Sequence, residues 1–212
     1  MAHLDQTRLA ILALVIGTFF VASRSNADEV GGFEFSSNAF ADNIVSFSPG
    51  VDLINSNTIE EALFGSDTST GISYFNALPG SIELSFDDNL VVNGLGDDIV
   101  VFEFGSNEDS IIVSSPQAEI ATTITSFDTG FDSGFGSFPL FAATLDLSDL
   151  GVSANGTIST LQLSFFDADG DGLSFTPSAV GALHTSIPEP SAGVLGVVFL
   201  ALSLTHSRRT KC

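Results

Sequence analysis

The sequence predicts an all-β domain, a two-sheet antiparallel sandwich of jelly-roll type with one short helix, set between an N-terminal signal helix and a C-terminal membrane helix. Three observations predict it. Apolar and polar residues alternate over several short runs, the period of a half-buried strand. Turn residues, at Asn93-Gly94, Gly96-Asp97 and Asn155-Gly156, separate such runs. The longest apolar runs of the 212 residues lie at its two ends.

The first element is an export signal. Arg8 gives a positive start, Leu9 to Val21 form a thirteen-residue weakly polar to apolar run, and Ser25-Asn26-Ala27 place small residues where a signal peptidase cuts. That run is too short to span a bilayer, which takes roughly 20 apolar residues. Residues 1–27 are therefore read as a signal peptide, cleaved before Asp28.

The body, residues 28–185, has the length of one domain. Its first element is a helix: Thr58-Ile59-Glu60-Glu61 has capping-box spacing, ahead of Ala62-Leu63-Phe64 and a stopping Gly65. Strands follow where Ile82, Leu84 and Phe86 alternate with Ser81, Glu83, Ser85 and Asp87. Asp98 to Phe104 is apolar on both faces apart from Glu103, as a central strand should be, and Ser110 to Ser114 comes after a turn at Gly105-Ser106-Asn107. Phe127, Phe131, Phe135 and Phe138 lie in or next to the Gly-rich segment 128–138, which reads as a loop pinned by its rings. Alternation returns in Phe141, Ala143, Leu145 and Leu147, and again in Leu161, Leu163 and Phe165. Eight to ten strands at this spacing favour the sandwich over a parallel α/β fold. Asn155-Gly156-Thr157 reads as a hairpin turn rather than a glycosylation acceptor. Trp is absent and Tyr74 is single, so Phe, with seventeen of its twenty copies in the body, must fill the large core sites.

Charge narrows function by exclusion. All five Lys and Arg lie in the end segments, while residues 28–187 hold 24 of the 26 acids and no basic side chain except His184. Such a domain makes no Lys or Arg salt bridge, its acids repel one another, and its stability should rise with salt. Nucleic acid and anionic membranes are excluded as partners, because both are held through cations that displace counterions from phosphates. Cys212, the only cysteine, lies in the tail, so the body relies on no disulfide.

One local motif points to a metal. Asp167-Ala168-Asp169-Gly170-Asp171-Gly172 sets Asp167, Asp169 and Asp171 at alternate positions with a glycine sixth. A tight loop of this pattern can wrap several oxygens round Ca2+, which takes about six to eight. Position twelve is Ser178, where an EF-hand needs a bidentate Glu, so the site is a β-loop variant completed by other groups, with Asp97 and Asp98 as candidates. The same residues also make an ordinary acidic turn, and both readings stand.

Catalysis finds few tools here. The body offers no Cys nucleophile, no Lys for a Schiff base and no Arg clamp, and His184 falls at the linker edge, where solvent exposure is expected. The reading is a non-enzyme; the alternative is a secreted glycoside hydrolase working through two carboxylates. Against that alternative, the usual aromatic platform for sugar rings is missing and no acid pair stands out.

The last element, residues 186–212, begins with Pro188-Glu189-Pro190, continues as an apolar run from Ala192 to Leu204, and closes on Arg208, Arg209 and Lys211. The uncharged stretch from Pro190 to Ser207 is about 27 Å long as a helix, against a hydrocarbon core of about 30 Å. Basic residues after it keep the tail cytoplasmic and the body outside. Pro188, Glu189 and Pro190, the apolar run, and Arg208 and Arg209 together resemble the PEP-CTERM sorting signal of exported bacterial proteins. That resemblance implies processing by an exosortase in the membrane, a cell-envelope or extracellular location, and association with extracellular polysaccharide and biofilm. Residues 81–87, 92–103, 146–151, 170–172 and 179–182 also resemble the landmarks of exported β-sandwich proteins that carry this tail; the acidic stretch usual before their last strand is replaced here by Ser174-Phe175-Thr176-Pro177-Ser178. The function expected is a non-catalytic cell-surface or matrix protein, calcium-stabilised and carbohydrate-associated.

Overall fold

The computed structural model describes residues 27–186 apart from 37, 75–79, 106 and 166–174. The signal run, the sorting residues Pro188, Glu189, Pro190, Arg208 and Arg209, and the motif of Asp167, Asp169 and Asp171 lie outside the described residues. Among the described residues no helix is long and apolar enough to cross a membrane.

Two antiparallel sheets face each other. One has five strands in the order β10 (Thr122–Thr125), β9 (Ser110–Ser114), β14 (Thr160–Phe165), β6 (Gly80–Ser85) and β3 (Asn43–Phe47). The other has four, in the order β11 (Phe127–Asp132), β12 (Pro139–Leu145), β8 (Ile99–Phe104) and β15 (Pro177–Ala182). Between them lies the main core, where Ile82, Leu84, Ile111, Val113, Leu161 and Leu163 meet Ile99, Val101, Ala143, Leu145, Val180 and Ala182.

The alternation read from the sequence places the faces. Strands β9 and β14 bury every second residue, so the outer side of the five-stranded sheet is polar and wet. Strand β8 is buried at all six positions, as its two-faced apolar pattern demands. What covers its second face is a hairpin of β1 (Asp28–Val30) and β2 (Phe33–Phe35), too short to register as periodic. Val30, Phe35, Ala39 and Phe40 form a second core there with Val100, Phe102, Leu140, Ala142 and Ala179. Gly31 and Gly32 make the hairpin turn, both at positive φ, 58° and 86°, as primed turns require. A methyl group on Gly31 would stand 2.9 Å from Phe102 Cε1, so the turn also needs the missing side chain to seat on the sheet.

Smaller elements fill the flanks: the hairpin β4 (Val51–Ile54) with β5 (Gly71–Tyr74), and a three-stranded sheet of β13 (Thr157–Ile158), β7 (Leu90–Val92) and β16 (Thr185–Ser186). The expected helix is α1 (Ile59–Leu63), where Thr58 Oγ1 accepts from Glu61 N at 3.2 Å. The Glu61 carboxylate reaches back to Asn57, accepting from its backbone N–H at 2.8 Å and its side-chain amide at 3.0 Å, which holds its pKa below the usual value.

Three expectations need correction. The run through Ser148 stops as a strand at Leu145, because the Asp146 carboxylate accepts from Ser148 N at 2.8 Å and winds Leu147–Leu150 into a 3-10 turn. Asn155 does turn, at φ 60°, yet makes no hairpin, since β13 pairs with β7 and not with the strand before the turn. The Gly-rich segment 128–138 is not wholly a loop: its first part is strand β11, paired with β12 across a bulge between Asp128 and Phe131.

Candidate functional site

Strand β11 is the edge of the four-stranded sheet, and its bulge decides where its rings point. Phe127 stands opposite Ala142, and Phe131 opposite Leu140. Both partners belong to the second core, so both rings lie on that outer face, beyond the covering hairpin. Each is held by local hydrogen bonds: the Asp128 carboxylate accepts from Gly130 N at 2.8 Å, and the Thr129 hydroxyl donates to the Leu140 carbonyl at 2.6 Å. The following turn repeats the device, with Asp132 accepting from Gly134 N at 2.8 Å and Ser133 Oγ donating to the Phe138 carbonyl at 2.8 Å.

Three phenylalanines of this segment stay half exposed. Phe131 is 50% exposed, Phe127 43% and Phe138 41%. Phe135 and Phe138 stack with centroids 5.8 Å apart and planes 12° off parallel, and Phe135 lies 5.0 Å from Phe104 of β8. Phe127 and Phe131 stand opposite β12 positions two residues apart, about 7 Å along the strand, and Phe138 lies just before β12. Phe131 also abuts the tip of the covering hairpin, where a methyl on Gly32 would stand 3.4 Å from its Cε2. On that hairpin Glu29 and Glu34 face each other directly across the strand pair, both exposed. Exposed aromatic rings therefore stand on this segment, where the sequence led us to expect rings pinning a loop, and the bulge and turn that carry them break any simple period.

Two buried acids mark the ends of β8, and neither forms part of this face. Glu103, 1% exposed, points between the sheets. It accepts from the Ser126 hydroxyl and from Thr176 N at 3.3 Å. Burial is the main cause that pushes its pKa up to about 7, with the Asp109 charge adding to it and the Ser126 bond opposing it. Ser126 and Thr176 sit on connections that cross from one sheet to the other, so the carboxyl ties those crossings to the central strand.

Asp98, 0% exposed, does the same at the opposite end. Its Oδ1 accepts from Gly94 N at 2.7 Å and lies 2.8 Å from His184 Nδ1, while Oδ2 accepts from Leu147 N at 2.9 Å. His184 is thus not a free solvent-facing ring; its side chain is 40% exposed but anchored. A methyl on Gly94 would stand 2.5 Å from His184 Nδ1, so the ring lies directly on that glycine.

Both Asp98 oxygens are already engaged within the fold, and the motif of Asp167, Asp169 and Asp171 lies outside the described residues. Among the described residues no group of three or more His, Cys, Asp or Glu side chains is placed to hold a metal. Acids do gather elsewhere: burial and the neighbouring half-buried Asp42 raise the Asp88 pKa, and Asp42 accepts from the backbone N–H groups of Asp87 and Asp88.

No family model matches the chain, and no curated protein matches it. Solved structures with a similar course include the C-terminal domain of a chitobiase from Bacteroides fragilis, at 15% identity over 69% of this chain and 95% of that one, with a TM-score of 0.41. Another is chitosan-binding module 1 of a chitosanase/glucanase from Paenibacillus sp. IK-5, at 12% identity over 69% of this chain and 97% of that one, with a TM-score of 0.38.

Proposed function

We propose that this chain is a non-catalytic, carbohydrate-associated protein of the cell surface or extracellular matrix, exported by its N-terminal signal and sorted through Pro188, Glu189, Pro190, Arg208 and Arg209 by an exosortase. The observation that carries the carbohydrate reading is the half-exposure of Phe127 and Phe131 on one face of an edge strand, with Phe138 half exposed just before β12. Large rings left in water cost burial energy unless a ligand covers them, and flat aromatic faces suit the C–H faces of sugar rings. A carboxylate hydrolase would need a raised acid that substrate can reach, whereas Glu103, pushed up to about 7, is 1% exposed and spent on Ser126 and Thr176. Calcium at Asp167, Asp169 and Asp171 belongs to the same reading as a stabiliser.

Affinity measurements on a panel of soluble polysaccharides test it. Phe131→Ala and Phe127→Ala are expected to weaken binding about tenfold each, the loss of roughly one stacked ring, with unchanged circular dichroism. Full-strength binding by both variants would sink the proposal.

A further inference from the structure

We infer that Glu103 is a latch on the face that carries Phe127 and Phe131: its protonated carboxyl holds the edge strand β11 in place, and its ionisation releases that strand. This rests on the carbohydrate reading above for what the face binds, and names how that binding is regulated.

The latch lies one residue from the first ring. Ser126 joins β10 to β11, so here the chain leaves the edge of one sheet and enters the edge of the other. Its side chain is buried, while that of Phe127 stands half exposed on the outer face. The Ser126 hydroxyl donates to the Glu103 carboxyl and accepts from Asp109 N at 2.9 Å, and Ser126 N donates to the Asp109 carbonyl at 2.9 Å. Glu103, Ser126 and the main chain at Asp109 thus pin the crossing from inside. Strands β10 and β11 are both outermost, bonded on one side only, and the bulge interrupts the pairing of β11 further. Releasing Ser126 therefore frees this edge without opening the middle of either sheet.

The surroundings of Glu103 are hostile to charge. Residues 28–187 contain no Lys or Arg, and their one His, His184, is held by Asp98 at the other end of β8. Strands β9, β10, β12, β14 and β15 carry no titratable side chain. The charged groups on this side are acids: half-buried Asp109, which acts on Glu103 directly, the exposed Glu108 before it, and Asp128 of β11. Asp128 shares a row with Glu103 across Phe141, but is exposed and turns one oxygen to Gly130 N. An ionised Glu103 is thus a buried charge that no cation meets. Burial, reinforced by Asp109, pushes its pKa up to about 7, against the opposing bonds from Ser126 and Thr176. A carboxyl that binds its proton more tightly when covered favours opening as pH rises. Repulsion from Asp109 acts on the segment bonded to Ser126, so the crossing moves outward and lets water reach the carboxylate.

The test follows the detergent-solubilised full chain from about pH 5.5 to about pH 8 with two readouts. Hydrogen exchange, corrected for its intrinsic rate, compares residues 122–132 with β14 as the control. Equilibrium binding uses hydroxyethylcellulose, a neutral polymer whose own charge does not change with pH. Protection over 122–132 is expected to fall about thirtyfold across that range, as a carboxyl displaced from 4.5 to about 7 requires. Protection of β14 holds steady, and polymer binding weakens in parallel with the loosening of β11. Glu103→Gln removes both pH dependences, and Asp128→Asn leaves both in place. Ser126→Ala cuts the link without touching the carboxyl, so 122–132 exchanges fast already at the acid end; it decides the matter should Glu103→Gln fail to fold. Steady protection of 122–132 across the range, or the same fall in Glu103→Gln, overturns the inference. Polymer binding that stays constant while β11 loosens overturns it as well. No polymer binding at any pH, with the exchange pattern as expected, counts against the carbohydrate reading and leaves the latch standing.

Discussion

Glu103 and Asp98 put similar chemistry at the two ends of one strand, and their surroundings differ. Asp98 has three nitrogen partners gathered round it. Glu103 has Ser126, Thr176 and the Asp109 backbone, which do not offset its burial, and its pKa rises from 4.5 to about 7. A carboxyl shifted this way holds its proton more tightly when folded than when unfolded. Between those two pH values the native state therefore carries more protons than the unfolded chain, and stability falls as pH rises through the window. Below 4.5 Glu103 is protonated in both states and costs nothing; above about 7 the cost is complete, about 3 kcal/mol. The melting temperature is expected to drop between about pH 5 and pH 8, and Glu103→Gln, which keeps an acceptor for the Ser126 hydroxyl, is expected to flatten that drop. An equal slope in the variant would show that another group titrates there. From the sequence Glu103 stood out as the polar residue in an otherwise apolar strand. Its partners did not, because Ser126 lies 23 residues away and Thr176 73 residues away.

The best-read element is α1. Its capping box was legible because all of its chemistry lies within five consecutive residues, although the reciprocal bond goes to Asn57, one residue before the cap. Thr58→Ala should cost about 1 kcal/mol, a fall of roughly 2–4 °C in melting temperature for a domain of this size, with Thr58→Ser close to wild type; calorimetric melts decide. Strands β6, β8, β9 and β14 were legible for a similar reason, since alternation is a local property of the chain. The β1–β2 hairpin and the exposed rings were not. Three-residue strands carry too little period to notice, and a bulge between Asp128 and Phe131 shifts the period inside β11 itself.

At the scale of the whole molecule, charge dominates. Among the described residues His184 with Asp98 is the one ion pair, so the surface acids of the body have no fixed partners of opposite sign. Added sodium chloride is therefore expected to raise the melting temperature, most steeply below about 0.1 M, where the screening length exceeds about 10 Å. A further rise with calcium at matched ionic strength, lost in Asp169→Ala and Asp171→Ala, would assign the excess to that motif. Identical melts in deionised buffer and in brine would refute the electrostatic account.

The way the second core closes has a kinetic consequence. Phe40 bridges to Gly181, Ala41 N donates to the Val180 carbonyl at 2.9 Å, and Ala182 N donates to the Ala39 carbonyl at 2.7 Å. The earliest segment of the domain thus rests on one of the latest. Were the chain threaded through a pore from its N-terminus, Val30 and Phe35 would emerge long before Ala179 arrived to receive them. Such long-range closure is slow, and the native state cannot assemble until the final strands have been delivered. In such a passage the emerging polypeptide would wait with apolar surfaces uncovered, and mutual repulsion among its many carboxylates would hold neighbouring unfinished chains apart.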